Sequence, residues 1–166
     1  SSDLRLQRLH ARLSGEAPAL RSIGARFMHF VDADGPLDDR SRALVQRLLE
    51  YGPRRAPADE RGSLFLVVPR PGTVSPWSSK ATDIVRNAGL TAVRRVERGV
   101  AYFLDVPGGV SPAARTALAA HLHDRMVESV LAGLEDASQL FAQGEPQPLV
   151  TVDILGGGRA ALERAN

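Results

Sequence analysis

The hydrophobic positions of this chain switch repeatedly between helical and strand spacing. Leu4, Leu6, Leu9 and Leu13 stand among arginines and predict an amphipathic helix over 4–13. Ile23 to Asp32 predicts a strand, with Phe27, His29 and Val31 on one face and Met28 and Phe30 on the other. Asp34-Gly35-Pro36 marks a turn. From Asp38 onward, Ala43, Leu44, Leu48 and Tyr51 recur at helical spacing, with Asp38 and Asp39 near the positive end of the helix dipole. Gly52-Pro53 ends that helix, and a polar, Pro-containing loop runs from Arg54 to Gly62.

The chain is organised around the next stretch, Leu64 to Ala81. The apolar run Leu64 to Val68 predicts a buried strand. It stops at Pro69, which has no N–H to offer a ladder. Pro69, Pro71 and Gly72 stiffen a loop, and Ser75-Pro76 opens a helix: proline loses no hydrogen bond at the first helical position, and serine before it caps the free N–H groups. That helix is expected from Pro76 to Ala88, ending at Gly89. The loop and the start of the helix carry the chain's only Trp (Trp77) and only Lys (Lys80). Unusual residues held between rigid elements point to a surface that meets something.

Downstream, Thr91 to Val106 predicts two strands around Arg98-Gly99, joined by a hairpin or a glycine bulge. Ser111-Pro112 repeats the Ser-Pro helix opening, and a helix runs to about Leu122. Met126 to Leu131 fits either a strand or a continued helix. Leu134 to Phe141 reads as helical and Gln143 to Pro148 as a linker; Leu149 to Leu155 reads as a strand and Arg159 to Asn166 as the start of a helix. The order is β-α-β-α-β-β-α-β after a leading helix. It predicts an α+β fold, helices packed on one face of a mostly antiparallel sheet, with a loosely repeated strand-helix-strand plan that permits two related subdomains. The boundary is placed between a domain at 1–142 and a linker region beginning at 143–166.

Composition narrows the function classes. At 166 residues and 43% hydrophobic, the chain can support one ordinary core. It has no cysteine, and therefore no disulfide, thiol nucleophile or cysteine-bound metal. No apolar run reaches the roughly 20 residues of a membrane span, and no secretory h-region is present, so no membrane partner is expected. The net charge of +2 is nearly balanced, and no nucleic-acid partner is expected from it.

The candidate chemistry is thin. Gly72 to Thr82 superficially resembles a phosphate loop, but Ser79 precedes Lys80 where a glycine is needed, and Pro76 removes a donor. Gly156 to Ala161 matches a dinucleotide fingerprint without the βαβ unit or downstream acid that gives it meaning, and reads better as a hinge. His121 and His123 lie on different faces of a helix. His29 reads as a core histidine. Asp32, Asp34, Glu97 and Asp105 are scattered and read as solvated or paired. Trp77 reads as a core aromatic or loop anchor, although Trp77 and Arg70 are also types favoured at interface hot spots.

Three segments carry a family resemblance: P-R-P-G-T-V-S-P-W-S-S-K-A-T-D-I at Pro69 to Ile84, E-R-G-V-A-Y at Glu97 to Tyr102, and L-H-D-R-M at Leu122 to Met126. Together they resemble the N-terminal region of large-form phosphoribosylformylglycinamidine synthase, the glutamine-dependent amidotransferase of purine biosynthesis. The resemblance covers nearly the whole chain, in order. It implies a fused pair of ferredoxin-like, accessory-subunit-like subdomains followed by the start of a linker. It also implies a cytoplasmic, ATP- and magnesium-dependent ligase whose synthetase and glutaminase domains lie downstream. This segment alone would hold no cofactor, no catalytic residue and no metal, and would be inactive. Its expected role is to dock the synthetase and glutaminase domains and to help enclose the active site or ammonia passage. The docking candidates are Arg70, Thr73, Ser75, Trp77, Ser78, Ser79 and Lys80, with Arg26 and His29 beside them. The competing class is a free-standing, dimeric regulatory or binding module.

Overall fold

A computed structural model describes residues 2–49, 61–133, 136 and 149–152. The elements run α1 (Ser2–Ser14), β1 (Ser22–Ala33), α2 (Asp39–Leu49), β2 (Ser63–Pro69), α3 (Pro76–Asn87), β3 (Val93–Asp105), α4 (Pro112–Leu122), β4 (Glu128–Leu131) and β5 (Leu149–Val152). The five strands form one sheet in the order β4-β2-β3-β1-β5, antiparallel at every junction. The expected α+β architecture is therefore the observed one. The tail of the second helix at Tyr51, the loop 54–60, the linker 143–148, the segment 153–155, the glycine motif at 156–161 and the helix at 159–166 lie outside the described residues. So does all but Asp136 of the helix expected at 134–141.

Local chemistry starts and stops the helices. Ser75 Oγ accepts from Ser78 N at 3.0 Å and Ser111 Oγ from Ala114 N at 3.1 Å, so both Ser-Pro openings are genuine N-caps. Asp38 Oδ1 accepts from Ser41 N at 2.7 Å and does the same for α2. That bond holds the Asp38 carboxyl below its ordinary range. Past α3, Gly89 takes φ +105°, the left-handed geometry that glycine adopts at a C-cap.

All four helices pack on the same face of the sheet. α2 and α3 bury Val45, Leu49, Ala81 and Val85 against Val31, Val93 and Val96. α1 and α4 bury Leu9, Leu13, Leu118 and Leu122 against Phe65, Val67 and Leu104. On the opposite face, Met28, Phe30, Leu66, Val68, Ala101, Phe103 and Leu131 form a separate buried cluster. The strand alternation expected at Phe27–Val31 follows this division, as the pleat requires.

Two readings of the middle of the chain change. The two strands expected around Arg98-Gly99 are a single 13-residue strand, β3, paired with β1 from Val93 to Asp105. Gly99 makes no turn. A Cβ there would stand 2.8 Å from the Val67 carbonyl oxygen and 2.9 Å from Val68 Cγ1, so the missing side chain lets β2 approach. The register irregularity lies elsewhere, between Asp32↔Arg95 and Ala33↔Val93, where Arg94 of β3 is the extra residue. The ambiguous Met126 to Leu131 segment resolves into a turn followed by β4, which pairs with β2 from Pro69↔Glu128 to Leu66↔Leu131.

β3 outruns β2 beyond Val67↔Val100, which leaves an open strand edge. α3 closes it with side chains. Thr82 Oγ1 accepts from Val96 N at 2.9 Å, and the buried Ser78 hydroxyl donates to the Val96 carbonyl. Both ladder groups of Val96 are thus satisfied by hydroxyls, and the edge is covered rather than offered for pairing.

Candidate functional site: the loop between β2 and α3

Where the proline ends β2, the chain is held down bond by bond. Arg70 N donates to the Val127 carbonyl at 3.0 Å, which ties the loop to the turn before β4. Thr73 N and Thr73 Oγ1 both donate to the Arg70 carbonyl, at 3.1 and 2.7 Å, closing a tight turn. Arg95 Nη2 donates to the Thr73 carbonyl at 2.7 Å. Ser75 Oγ, besides capping α3, donates to Glu97 Oε1 at 2.8 Å.

Glu97 is the anchor beneath the loop. Its carboxylate is 1% exposed, pairs with Arg95 Nη2 at 2.7 Å and accepts from Arg98 N at 3.0 Å. Three donors around a buried carboxylate compensate its loss of water. One buried acid therefore links β3 to the loop and to the start of α3.

A stack of rings lies on the inner side of α3. The Trp77 and His29 rings are 5.4 Å apart and tilted by 48°. The Arg98 guanidinium lies 4.7 Å from the Trp77 ring centroid and 4.5 Å from that of Phe27, within cation–π range of both. Burial, and then the positive charge of Arg98, press the His29 pKa down to about 3, so its imidazole is neutral at physiological pH. Beside the stack runs a half-open groove of about 200 Å³, floored by Phe27, Val67 and Val100 and flanked by Ser75, Trp77 and Glu128.

The structure sorts the residues singled out from sequence into three groups. Arg70, Thr73, Ser79 and Lys80 are exposed. Ser75 and Trp77 are half-buried, with Trp77 packed against the α2–α3 core. Ser78, His29 and Arg26 are buried. His29 touches Trp77 from beneath, whereas Arg26 points to the other face of the sheet, its guanidinium 5.4 Å from the Phe103 ring centroid.

Sequence reasoning did not single out Arg95, Arg98 or the Met126-Val127 turn, and it left Glu97 among scattered acids. The only signal for Glu97 was its place at the head of E-R-G-V-A-Y; its partner Ser75 is 22 residues away. Of the other acids, Asp34 pairs with Arg94 at 2.8 Å, and Asp32 lies 3.8 Å from the same guanidinium. Burial nonetheless raises the Asp32 pKa. His123 stands outside α4 with Nδ1 2.6 Å from the Ala119 carbonyl, and His121 faces Glu16 at 3.5 Å, so the two do not converge. Among the described residues, no three His, Asp or Glu side chains gather as a metal ligand set, and no helix is long and apolar enough to cross a membrane.

The arrangement is a stiffened display loop over a charge-compensated anchor, beside an aromatic groove. A family model described as formylglycinamide ribonucleotide amidotransferase N-terminal matches residues 26–141, well over half of the chain. Since the match takes in the loop, its Glu97 anchor and the groove, the chain belongs to the family of formylglycinamide ribonucleotide amidotransferase N-terminal domains.

Proposed function

We propose that this chain is the docking domain of a longer ATP- and magnesium-dependent ligase. That enzyme converts formylglycinamide ribonucleotide to its amidine with ammonia from glutamine, in the cytoplasm. The domain itself holds neither ATP nor glutamine and turns nothing over. It joins the synthetase and glutaminase domains of the same polypeptide and helps enclose the active site or ammonia passage. One observation carries this reading. The backbone of the loop 70–75 is fixed by hydrogen bonds to β3 and to the turn before β4, while Arg70, Ser79 and Lys80 remain exposed. A loop ordered before it meets a partner loses little conformational entropy on docking. Exposed side chains on such a loop serve recognition better than they serve the fold.

The test is complementation in trans. The chain is mixed with a counterpart enzyme lacking its N-terminal region, both pieces are checked for folding by circular dichroism, and glutamine-dependent amidine formation is assayed. Activity should return with the native chain and fall with Arg70→Ala/Lys80→Ala, whose side chains are exposed. Trp77→Ala is the poorer probe, since it also removes packing against His29 and Arg98. Folded pieces that neither associate nor regain activity would rule out the docking role.

A further inference from the structure

We propose that Arg95 is a positioning residue for the glutamine-dependent reaction: it fixes where Arg70 and Lys80 stand, and so whether the loop docks productively. This rests on the docking reading and names the residue on which its geometry depends. Arg95 lies on β3 and reaches both parts of the display surface. Its Nη2 donates to the Thr73 carbonyl in the loop at 2.7 Å, and its Nε donates to Ser78 Oγ in the first turn of α3 at 3.4 Å. The exposed cations stand just beyond these two contacts. Thr73 N and Oγ1 hold the Arg70 carbonyl at 3.1 and 2.7 Å, and Lys80 follows Ser78 on the same helix. A single guanidinium therefore sets the loop and the helix relative to each other and to the sheet.

The guanidinium is itself aimed from below. The same Nη2 donates to Glu97 Oε2 at 2.7 Å, and Glu97 is 1% exposed and held by Ser75 Oγ and Arg98 N as well. An acid so enclosed has one orientation, and it gives Arg95 one direction. The planar fork of arginine presents Nε and Nη2 to three acceptors at once, whereas lysine carries one nitrogen on a shorter stem. Satisfying the backbone does not require the bond to Thr73. That residue is exposed, and its carbonyl would find water without help. What Arg95 adds to the loop is place.

The test uses the whole enzyme, with Arg95→Gln and Arg70→Ala/Lys80→Ala introduced separately and together. Each protein is brought to equal folded concentration by circular dichroism, and kcat/KM is measured for glutamine-dependent amidine formation. Arg95→Gln should lower kcat/KM about tenfold, less than the roughly 100-fold that a 1 Å misplacement costs. Because Arg95 acts through Arg70 and Lys80, the same change should lower the Arg70→Ala/Lys80→Ala enzyme by less than about twofold. A residue that merely stabilised the fold would cost the same factor in both backgrounds. If the loss of charge beside Glu97 prevents folding, Arg95→Lys goes through the same cycle with the same expectation. Near-native kcat/KM in the Arg95 variant, or equal losses in the two backgrounds, would overturn the proposal and leave docking intact. An Arg70→Ala/Lys80→Ala enzyme as active as the native one would remove the docking role of the loop, and this inference with it.

Discussion

Replacing Glu97 by glutamine tests whether one buried acid holds the display loop. The amide has the same shape but no charge and a single acceptor oxygen. In the native protein, Oε1 accepts from Ser75 Oγ and Arg98 N, while Oε2 faces Arg95. If the amide oxygen serves Ser75 and Arg98, the NH2 group confronts a guanidinium donor. If it serves Arg95, the other two donors lose their acceptor. Either orientation gives up at least one charge-assisted bond, about 1.5–3 kcal/mol. Breaking a fully buried pair costs about 3–5 kcal/mol, and the 17% exposure of Arg95 moves this case toward and below the low end of that range. A loss of about 2–4 kcal/mol is expected, which for a chain of this size lowers the melting temperature by roughly 5–10 °C. Urea unfolding followed by circular dichroism measures the stability, and hydrogen exchange at the amides of residues 73–78 reports the loop. Asp83→Asn, on the exposed side of α3, should stay within about 0.5 kcal/mol of native. A Glu97→Gln protein equally close to native, or one whose loop amides exchange no faster, would refute the anchoring role.

Three further outcomes follow from neighbouring geometry. The folded pKa of His29, about 3, lies below its ordinary 6.5, so as pH falls below about 6.5 the unfolded chain takes up a proton that the folded one does not. Stability should drop by up to about 1.4 kcal/mol per pH unit down to about pH 3. Asp32, whose pKa burial raises, acts in the opposite sense just above its ordinary 3.8. Between pH 7 and pH 5, urea midpoints should therefore show the native protein losing about 2 kcal/mol more than His29→Phe, and equal losses would contradict the burial of His29. Gly99→Ala should cost about 1–3 kcal/mol although its backbone is ordinary strand, because the new methyl meets the Val67 carbonyl oxygen; a neutral result by thermal unfolding would mean that β2 can move away. Thr82→Val leaves Val96 N without its acceptor at nearly constant volume and should cost about 1–3 kcal/mol, whereas Thr82→Ser should retain most of the stability in the same denaturation assay.

Much of the fold was legible because its causes are short in sequence. Ser75-Pro76 and Ser111-Pro112 start helices through a bond to an N–H three residues on, and Gly89 ends one through its own backbone freedom. The apolar runs of β1 and β2 and the stop at Pro69 are likewise local. Residue spacing also divided the two faces of β1 correctly, since the pleat leaves a strand no alternative.

What escaped the sequence depends on residues far apart along the chain. A glycine in a strand reads as a bend from its neighbours alone; only the approach of β2 shows that Gly99 makes room instead. Met126 to Leu131 could not be assigned until Pro69 and Leu66 supplied ladder partners. The candidate loop was visible as an odd cluster of residues, but its division into exposed Arg70 and Lys80, half-buried Trp77 and buried Ser78 follows from the way α3 lies along the edge of β3. The Glu97 anchor and the neutral His29 are likewise set by burial and by partners from other elements. Caps, turns and alternation are written within a few residues, whereas burial, strand pairing and charge compensation are properties of the assembled layers, which no short window of sequence contains.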